Sequence, residues 1–280
     1  VVIAFLQESG RIIICLYGQA VKVAWVWRRF FVVDNYHFTS FSAFPELIHG
    51  FSDRAFGSVY PEGMGGQRLL AEALGILPGS FVSTYQVHGD RVVSVPGSEY
   101  TDTAGQLGAD GLVTALPGLF LLGYFADCVP ILAYDPVRRV VGLAHAGWRG
   151  TLLDIAGQLV RKMVSDFATL PQDTFVGIGP SIGPCCYEVG PEVVSRVQEE
   201  LPHPDLLLAC RSERPGHAHL DLWAANRVLL MRAGISPSQI EVAGHCTSCL
   251  VERFFSYRRE GELRGLFGAV IGMKTNQRGG

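Results

Sequence analysis

From about Pro45 onward the chain alternates short apolar runs with longer stretches whose apolar positions recur at three- and four-residue spacing. The first pattern suits strands, where successive side chains take opposite faces; the second suits helices, where it gathers one stripe. The most regular helical stripe is Leu152, Ala156, Leu159, Val160, Met163 and Phe167. Thr151, three residues before Asp154, resembles a capping box with Asp in place of Glu, so the helix is expected to open there. Gln67–Leu74 is a second helix, ended by Gly75 as C-cap. Pro191–Leu201, with Val193, Val194 and Val197 on one face, and Leu220–Ala233, stopping at Gly234, are two more. Strands are expected at Phe81–Val87, Asp110–Ala115, Leu119–Phe125, Pro130–Tyr134, Val140–Ala144 and Thr174–Gly179, with late ones at Glu241–Ala243 and Gly268–Gly272. Asp135-Pro136 is a turn signal after the fourth of these. The mixture predicts an α+β fold.

The most apolar stretch, Val1 to Val33, reads differently. A spanning helix needs about 18–20 uninterrupted apolar residues. Here Glu8, Arg11, Lys22, Arg28 and Arg29 interrupt the run, and Gly10 and Gly18 break it further. A secretory leader would carry its positive charge first, whereas this segment puts its Arg pair last. Two short strands, Arg11–Tyr17 and Val21–Trp27, joined at Gly18-Gln19, are the preferred reading. No internal repeat, low-complexity tract or linker divides the chain.

Composition narrows the function classes. The 280 residues are 48% hydrophobic and 18% charged, which excludes a disordered chain. A net charge of -3 carries no basic footprint for nucleic acid. Seven cysteines spread over this length do not make a disulfide scaffold. They fit a reducing, cytoplasmic setting and metal or thiol chemistry better.

Three segments then stand out: Gln86-Val87-His88-Gly89, Ala126-Asp127-Cys128-Val129-Pro130, and Ala144-His145-Ala146-Gly147-Trp148-Arg149-Gly150-Thr151. Each puts one His or Cys at the end of an apolar strand, a rigid position that still reaches a cleft. Two imidazoles and a thiolate make a good Zn²⁺ set, and three protein ligands leave a fourth position for water or substrate. The spacing is too long for a local zinc knuckle, so a satisfied histidine or a buried cysteine is the ordinary alternative at each position. Gly147 to Thr151 opens the strong helix, where free N–H groups and the dipole gather. With Arg149 beside it, that terminus is a candidate anion site; a plain strand-to-helix turn with a packed Trp is the alternative. Cys246-x-x-Cys249 is a single CxxC with no second pair near it in sequence, either a redox pair or half a zinc site. Cys185-Cys186 lies in a Gly/Pro-rich loop, while Cys15 and Cys210 carry no signal.

In this order the three segments resemble the bacterial YfiH-type family, also called the laccase-domain or multicopper polyphenol oxidase family. The resemblance continues through Gly177-Ile178-Gly179-Pro180 to Cys185-Cys186-Tyr187-Glu188-Val189-Gly190, Asp221-Leu222-Trp223-Ala224-Ala225-Asn226, Cys246-Thr247-Ser248-Cys249 and Phe254-Phe255-Ser256-Tyr257-Arg258-Arg259. It covers about Phe44 to Met273 and implies a four-layer α/β/β/α sandwich of mixed sheets. Residues 1–43 are then an unassigned extension and 44–280 a single catalytic domain.

The resemblance also implies one zinc on His88, Cys128 and His145, and it places Cys246 and Cys249 in a structural strand–loop region, so that pair is read as structural and not as chemistry. The implied activity is phosphorolysis of adenosine, inosine or guanosine to free base and ribose 1-phosphate, with adenosine deamination and methylthioadenosine cleavage in related members. Small-molecule partners follow, a purine nucleoside and phosphate, with no nucleic acid or membrane; no oligomeric state is read from the chain. Arg149 and Asp127 are the candidate catalytic residues, Asp127 as proton carrier or as orienter of a zinc-bound His. Arg54, Gly150, Thr151 and Tyr187 are the candidate phosphate or substrate contacts. Two departures stand out: a glycine is missing from the turn after Arg54, and Arg264 precedes Gly265 where the family tends to have Gly-Arg. Other readings are an amidase that removes L-Ser from a UDP-MurNAc precursor, copper-dependent phenol oxidation on Cu²⁺, and a metal-stapled binding module. Eight histidines without a His-rich cluster rank copper oxidation lowest.

Overall fold

The computed structural model describes residues 5–8, 11–16, 19–22, 37–59, 65–97, 108–263 and 265–275. The chain divides into two units, Val1–Asn35 and Tyr36–Gly280. The first holds an antiparallel sheet of β1 (Phe5–Glu8), β2 (Arg11–Leu16) and β3 (Gln19–Lys22), in that order. Leu16 pairs with Gln19, so Gln19 is the first residue of a strand and not part of the turn. Residues 23–27 of the expected second strand lie outside the described residues.

The second unit runs β4 (Leu47–Phe51), α1 (Gly65–Leu74), β5 (Phe81–Val82), β6 (Val92–Ser94), β7 (Gly111–Thr114), β8 (Phe120–Phe125), β9 (Val129–Asp135), β10 (Val140–Ala146), α2 (Trp148–Leu152) and α3 (Ile155–Phe167). It continues with β11 (Phe175–Ile178), β12 (Glu188–Val189), α4 (Pro191–Glu200), α5 (Pro204–Leu207), β13 (Leu208–Arg211), β14 (Ala218–Leu220), α6 (Leu222–Arg232), β15 (Ile240–Val242), α7 (Tyr257–Glu260) and β16 (Phe267–Met273). Three sheets result, ordered β15-β11-β9-β10-β7-β6, β4-β16-β8-β5 and β12-β14-β13. The first two are mixed, because β11–β15, β6–β7 and β5–β8 pair parallel and their other pairs are antiparallel. The fold is mixed α/β.

The period of two decides where each core lies. On β9, Val129, Ile131 and Ala133 pack with Ile155, Leu159 and Met163 of α3 and Leu229 of α6. The alternate residues Leu132 and Tyr134 pack instead with Leu121 and Phe125 of β8 and Phe267, Ala269, Ile271 and Met273 of β16. On the far face of that second sheet, Phe120, Leu122, Tyr124 and Val270 meet Leu70 and Ala71 of α1. The two larger sheets therefore face each other, with helices on both outer faces. Strands buried on both sides read as continuous apolar runs, which is why β8 to β10 were visible in the sequence.

The link between β9 and β10 sets their register. The Asp135 carboxylate accepts from the N–H groups of Val137 and Arg138, and Arg139 takes a left-handed φ of 55°. Asp135 then pairs with Val140, and five steps along the ladder Pro130 pairs with His145.

Two expectations are corrected. The strand at Phe81–Val87 covers only Phe81–Val82, and the chain leaves the sheet before His88. The long helix begins at Ile155, not at Thr151. A five-residue helix from Trp148 ends at Leu152, with Leu153 as its C-cap; Asp154 then takes a left-handed φ of 61°, and its carboxylate accepts from Gly157 N–H as the cap of α3. Asp154 is thus an N-cap residue itself rather than the third residue of a capping box.

Candidate active site

Cys128 immediately precedes β9 and His145 lies within β10, so the pairing of these strands places them side by side. Ala144 and Ala146 turn toward the helices, whereas His145 faces the other sheet, its ring 5.4 Å from that of Phe125. His88 comes from the loop after β5 and crosses the His145 ring edge to face at 4.8 Å. One donor atom each of His88, Cys128 and His145 lies within 4.8 Å of the others.

Asp110, just before β7, holds this arrangement. Its carboxylate accepts from the backbone N–H groups of Val87 (3.2 Å), His88 (2.9 Å) and Gly89 (2.8 Å). The same carboxylate lies 2.8 Å from His145 Nδ1. A carboxylate only accepts, so Nδ1 carries the proton and Nε2 is left as a donor to a metal. One buried acid thus fixes both the loop of one imidazole and the tautomer of the other. His88 and Asp127, the neighbour of Cys128, have positive φ angles of 60° and 89°. Such backbone is costly for residues other than glycine and collects at functional sites. Gly147 is needed for a different reason. A Cβ there would lie 3.0 Å from Cys128 Sγ and 3.1 Å from His88 Cδ2.

The electrostatics pair a thiolate on Cys128 with a protonated His145, whose Nε2 proton a metal would displace. Burial raises the Cys128 thiol, but the neighbouring His145 charge and hydrogen bonds from both imidazoles outweigh it and bring it down to about 6. Burial would lower His145, yet the Cys128 charge and the Asp110 hydrogen bond hold it above its ordinary value. Burial also raises Asp110, and the bonds from His145, Gly89 and His88 carry it below the usual carboxylate range. Exposure falls from His88, which is exposed, through Cys128 to buried His145, so the group opens to solvent on the His88 side. Two imidazoles and a thiolate with an open side fit a three-ligand metal site.

The other expected residues divide. The Tyr187 phenol is pushed up by burial, then by the charges of Cys128 and Asp127, against Arg258 and Arg149, which places it within electrostatic reach of the group. Arg149 is exposed, its guanidinium 4.4 Å over the Trp148 ring. Thr151 is buried and its hydroxyl accepts from Asn226 Nδ2 at 3.1 Å, joining α2 to α6. Gly150 is a close-approach residue, since a Cβ there would lie 2.9 Å from the Gly89 carbonyl. Arg54 is held by Glu260 through both carboxylate oxygens, at 2.9 and 2.7 Å. It lines a cleft of about 390 Å³ in which Arg54 and Arg259 are balanced by Glu252 and Glu260, so no net positive charge is presented there.

Asp127 accepts from Thr247 Oγ1 at 2.6 Å and from Arg258 N–H at 2.7 Å. The acid bonded to the imidazole is Asp110. Sequence reading missed Asp110 and Thr247; the signal for the first was an acid placed directly before an apolar strand. Cys185 and Cys186 meet Cys246 and Cys249 in a second group.

Comparison with known proteins places the chain in a family. The sequence profile of the family described as multi-copper polyphenol oxidoreductase laccase matches residues 64–274. A purine nucleoside phosphorylase YlmD of Geobacillus stearothermophilus is 42% identical over 213 residues, covering 74% of this chain and 77% of that protein. The adenosine deaminase RL5 of an unknown prokaryotic organism is 41% identical over 155 residues, 55% of this chain and 58% of that one. The crystal structure of YlmD from Geobacillus stearothermophilus superposes with a TM-score of 0.75 at 37% identity, over 83% of this chain and 93% of that one. The profile spans the segment from His88 to His145, and the chain belongs to the multi-copper polyphenol oxidoreductase laccase family and is an enzyme.

Proposed function

We propose that this chain is a zinc-dependent purine nucleoside phosphorylase. The observation that carries the reading is the preformed group of His88, Cys128 and His145, fixed by Asp110 and open on one side. The named activity of the Geobacillus relative supplies the reaction class. In that reaction the bond from ribose C1′ to the purine nitrogen breaks and a bond from C1′ to a phosphate oxygen forms. Held by the three donors, Zn²⁺ would act as a Lewis acid at the reacting oxygens or at a water.

The chain's own groups do the rest. Arg149 offers a planar guanidinium fork to phosphate, stiffened by its stacking on Trp148. Tyr187 keeps its proton at neutral pH and presents a phenol and a ring face to the purine. Asp127, pinned by Thr247 and Arg258, positions the turn that carries Cys128. Residues 44–280 make up the catalytic domain in this reading. A reducing cytoplasmic compartment suits its thiols.

Phosphate dependence tests the reaction. Base release from inosine or adenosine should require phosphate and give ribose 1-phosphate in equal amount. Base release at the same rate without phosphate overturns the proposal. Metal content of the active protein should be zinc; activity restored to stripped protein by copper alone would return the assignment to the copper reading. Adenosine deamination is a second reading, supported by the relative RL5 and by the open coordination side. It predicts inosine and ammonia from adenosine with no call on phosphate.

A further inference from the structure

We propose a second metal site, a mononuclear zinc held by Cys185, Cys186, Cys246 and Cys249. The two pairs lie some sixty residues apart in sequence, yet all four sulfurs lie within 4.8 Å of one another. Cys249 Sγ is 3.4 Å from Cys186 Sγ and 3.6 Å from Cys185 Sγ. Four thiolates at Zn–S bonds of about 2.3 Å stand about 3.8 Å apart around a tetrahedral ion. The observed spacing matches one ion. An iron–sulfur cluster, which puts two or more irons and their bridging sulfides between the thiolates, would spread the sulfurs further. A tetrahedral set of four sulfurs suits a mononuclear zinc, and an iron on the same four thiolates would be found as iron in the metal count below.

Three features around the cysteines serve a tetrathiolate. Gly183 N–H donates to Cys246 Sγ at 3.2 Å, the kind of bond that steadies a ligating sulfur. Gly183 has no room for a side chain, since a Cβ would lie 2.7 Å from the Trp223 ring. Four thiolates on Zn²⁺ leave a net charge of -2, and two arginines flank it: Arg258 Nη1 donates to the Cys186 carbonyl and Arg259 Nε to the Ser248 carbonyl. The backbones of the two loops are already zipped, Ser181 N–H to His245 O and Thr247 N–H to Ser181 O. The ion would staple these loops. Through Thr247, which bonds Asp127, and through Tyr187, next to Cys186, the staple bears on the wall of the His88–Cys128–His145 group.

The test is a metal count on the full chain, purified with a reductant and without chelator. Wild type should carry two zinc per chain. His88→Ala/Cys128→Ala should retain one, and its Co²⁺-loaded form should show thiolate-to-cobalt charge transfer. Cys186→Ser/Cys249→Ser should also carry one, and lack that tetrathiolate spectrum. If the cysteine variant does not fold, the His88→Ala/Cys128→Ala count decides alone. A single zinc in wild type that disappears in His88→Ala/Cys128→Ala overturns the proposal. So does a disulfide among the four cysteines, found by mass spectrometry of the protein purified under reductant.

Discussion

The two ligand groups stand on different scaffolds. His145 and Cys128 sit on the central pair of a six-stranded sheet, and His88 is tied to them by an acid. The four cysteines sit outside the strands, on the loops Gly183–Tyr187 and His245–Leu250 that follow β11 and β15. The first group offers three donors of two kinds and leaves one side to solvent; the second offers four alike and no vacancy. Rigid placement with an open position suits chemistry, whereas a closed sulfur cage suits joining chain segments. The contrast teaches that the fold supplies rigidity to one group and, on our proposal, receives it from the other.

The most severe way to break this contrast is to remove Cys128. Cys128→Ala should lose its zinc and bring phosphorolysis to background, a larger loss than the roughly 100-fold upper range for an outer-shell change. One zinc on the cysteines should remain, by metal analysis. Asp110→Asn leaves the donors in place and tests their support. A roughly 10–100-fold loss of metal affinity at the three-ligand group is expected by competition with a chromophoric chelator. Thr247→Val cuts the bond between the second group's loop and Asp127. A charged acceptor's hydrogen bond is worth about 1.5–3 kcal/mol, and urea unfolding should show a loss in that range.

Gly147→Ala puts a methyl group against Cys128 and His88. Metal affinity should fall about tenfold, ~1.4 kcal/mol, with the circular dichroism of the folded chain unchanged. The smallest effect is expected for Arg149→Lys. A point charge replaces a planar fork, so the phosphate KM should rise roughly fivefold, about 1 kcal/mol, at unchanged nucleoside KM. An unchanged phosphate KM would remove Arg149 from the phosphate site.

The sequence made much of the sheet legible, because strands buried on both faces leave unbroken apolar runs such as Phe120–Phe125 and Val129–Asp135. Cys128 and His145 were readable for the same reason, the first between two such runs and the second within another; His88 was picked out behind a run that the structure ends at Val82. The helix start was misread because Thr151 and Asp154 satisfy a local capping pattern, while the structure uses Thr151 to hold Asn226 and Asp154 as a left-handed cap. Asp110 was hidden because its four partners are non-local, 21 to 35 residues away, and backbone N–H groups leave no mark in a sequence. The four-cysteine group was hidden because loop closure between Cys186 and Cys246 depends on where β11 and β15 pair in parallel. No periodicity encodes that.

The turn between β9 and β10 has a consequence at a distance. In a strand pair, slipping the register by one residue turns every side chain to the opposite face. A slip there would turn His145 toward α3 and bring Ala144 or Ala146 next to Cys128. What prevents it is the Asp135 carboxylate clasping Val137 and Arg138 with Arg139 in its left-handed turn, five residues and about 17 Å along the ladder at ~3.3 Å per residue. The alignment of the donors is therefore decided at the far end of the hairpin. An insertion or deletion between Asp135 and Val140 would act like the loss of a ligand, although no residue there comes near the three donors.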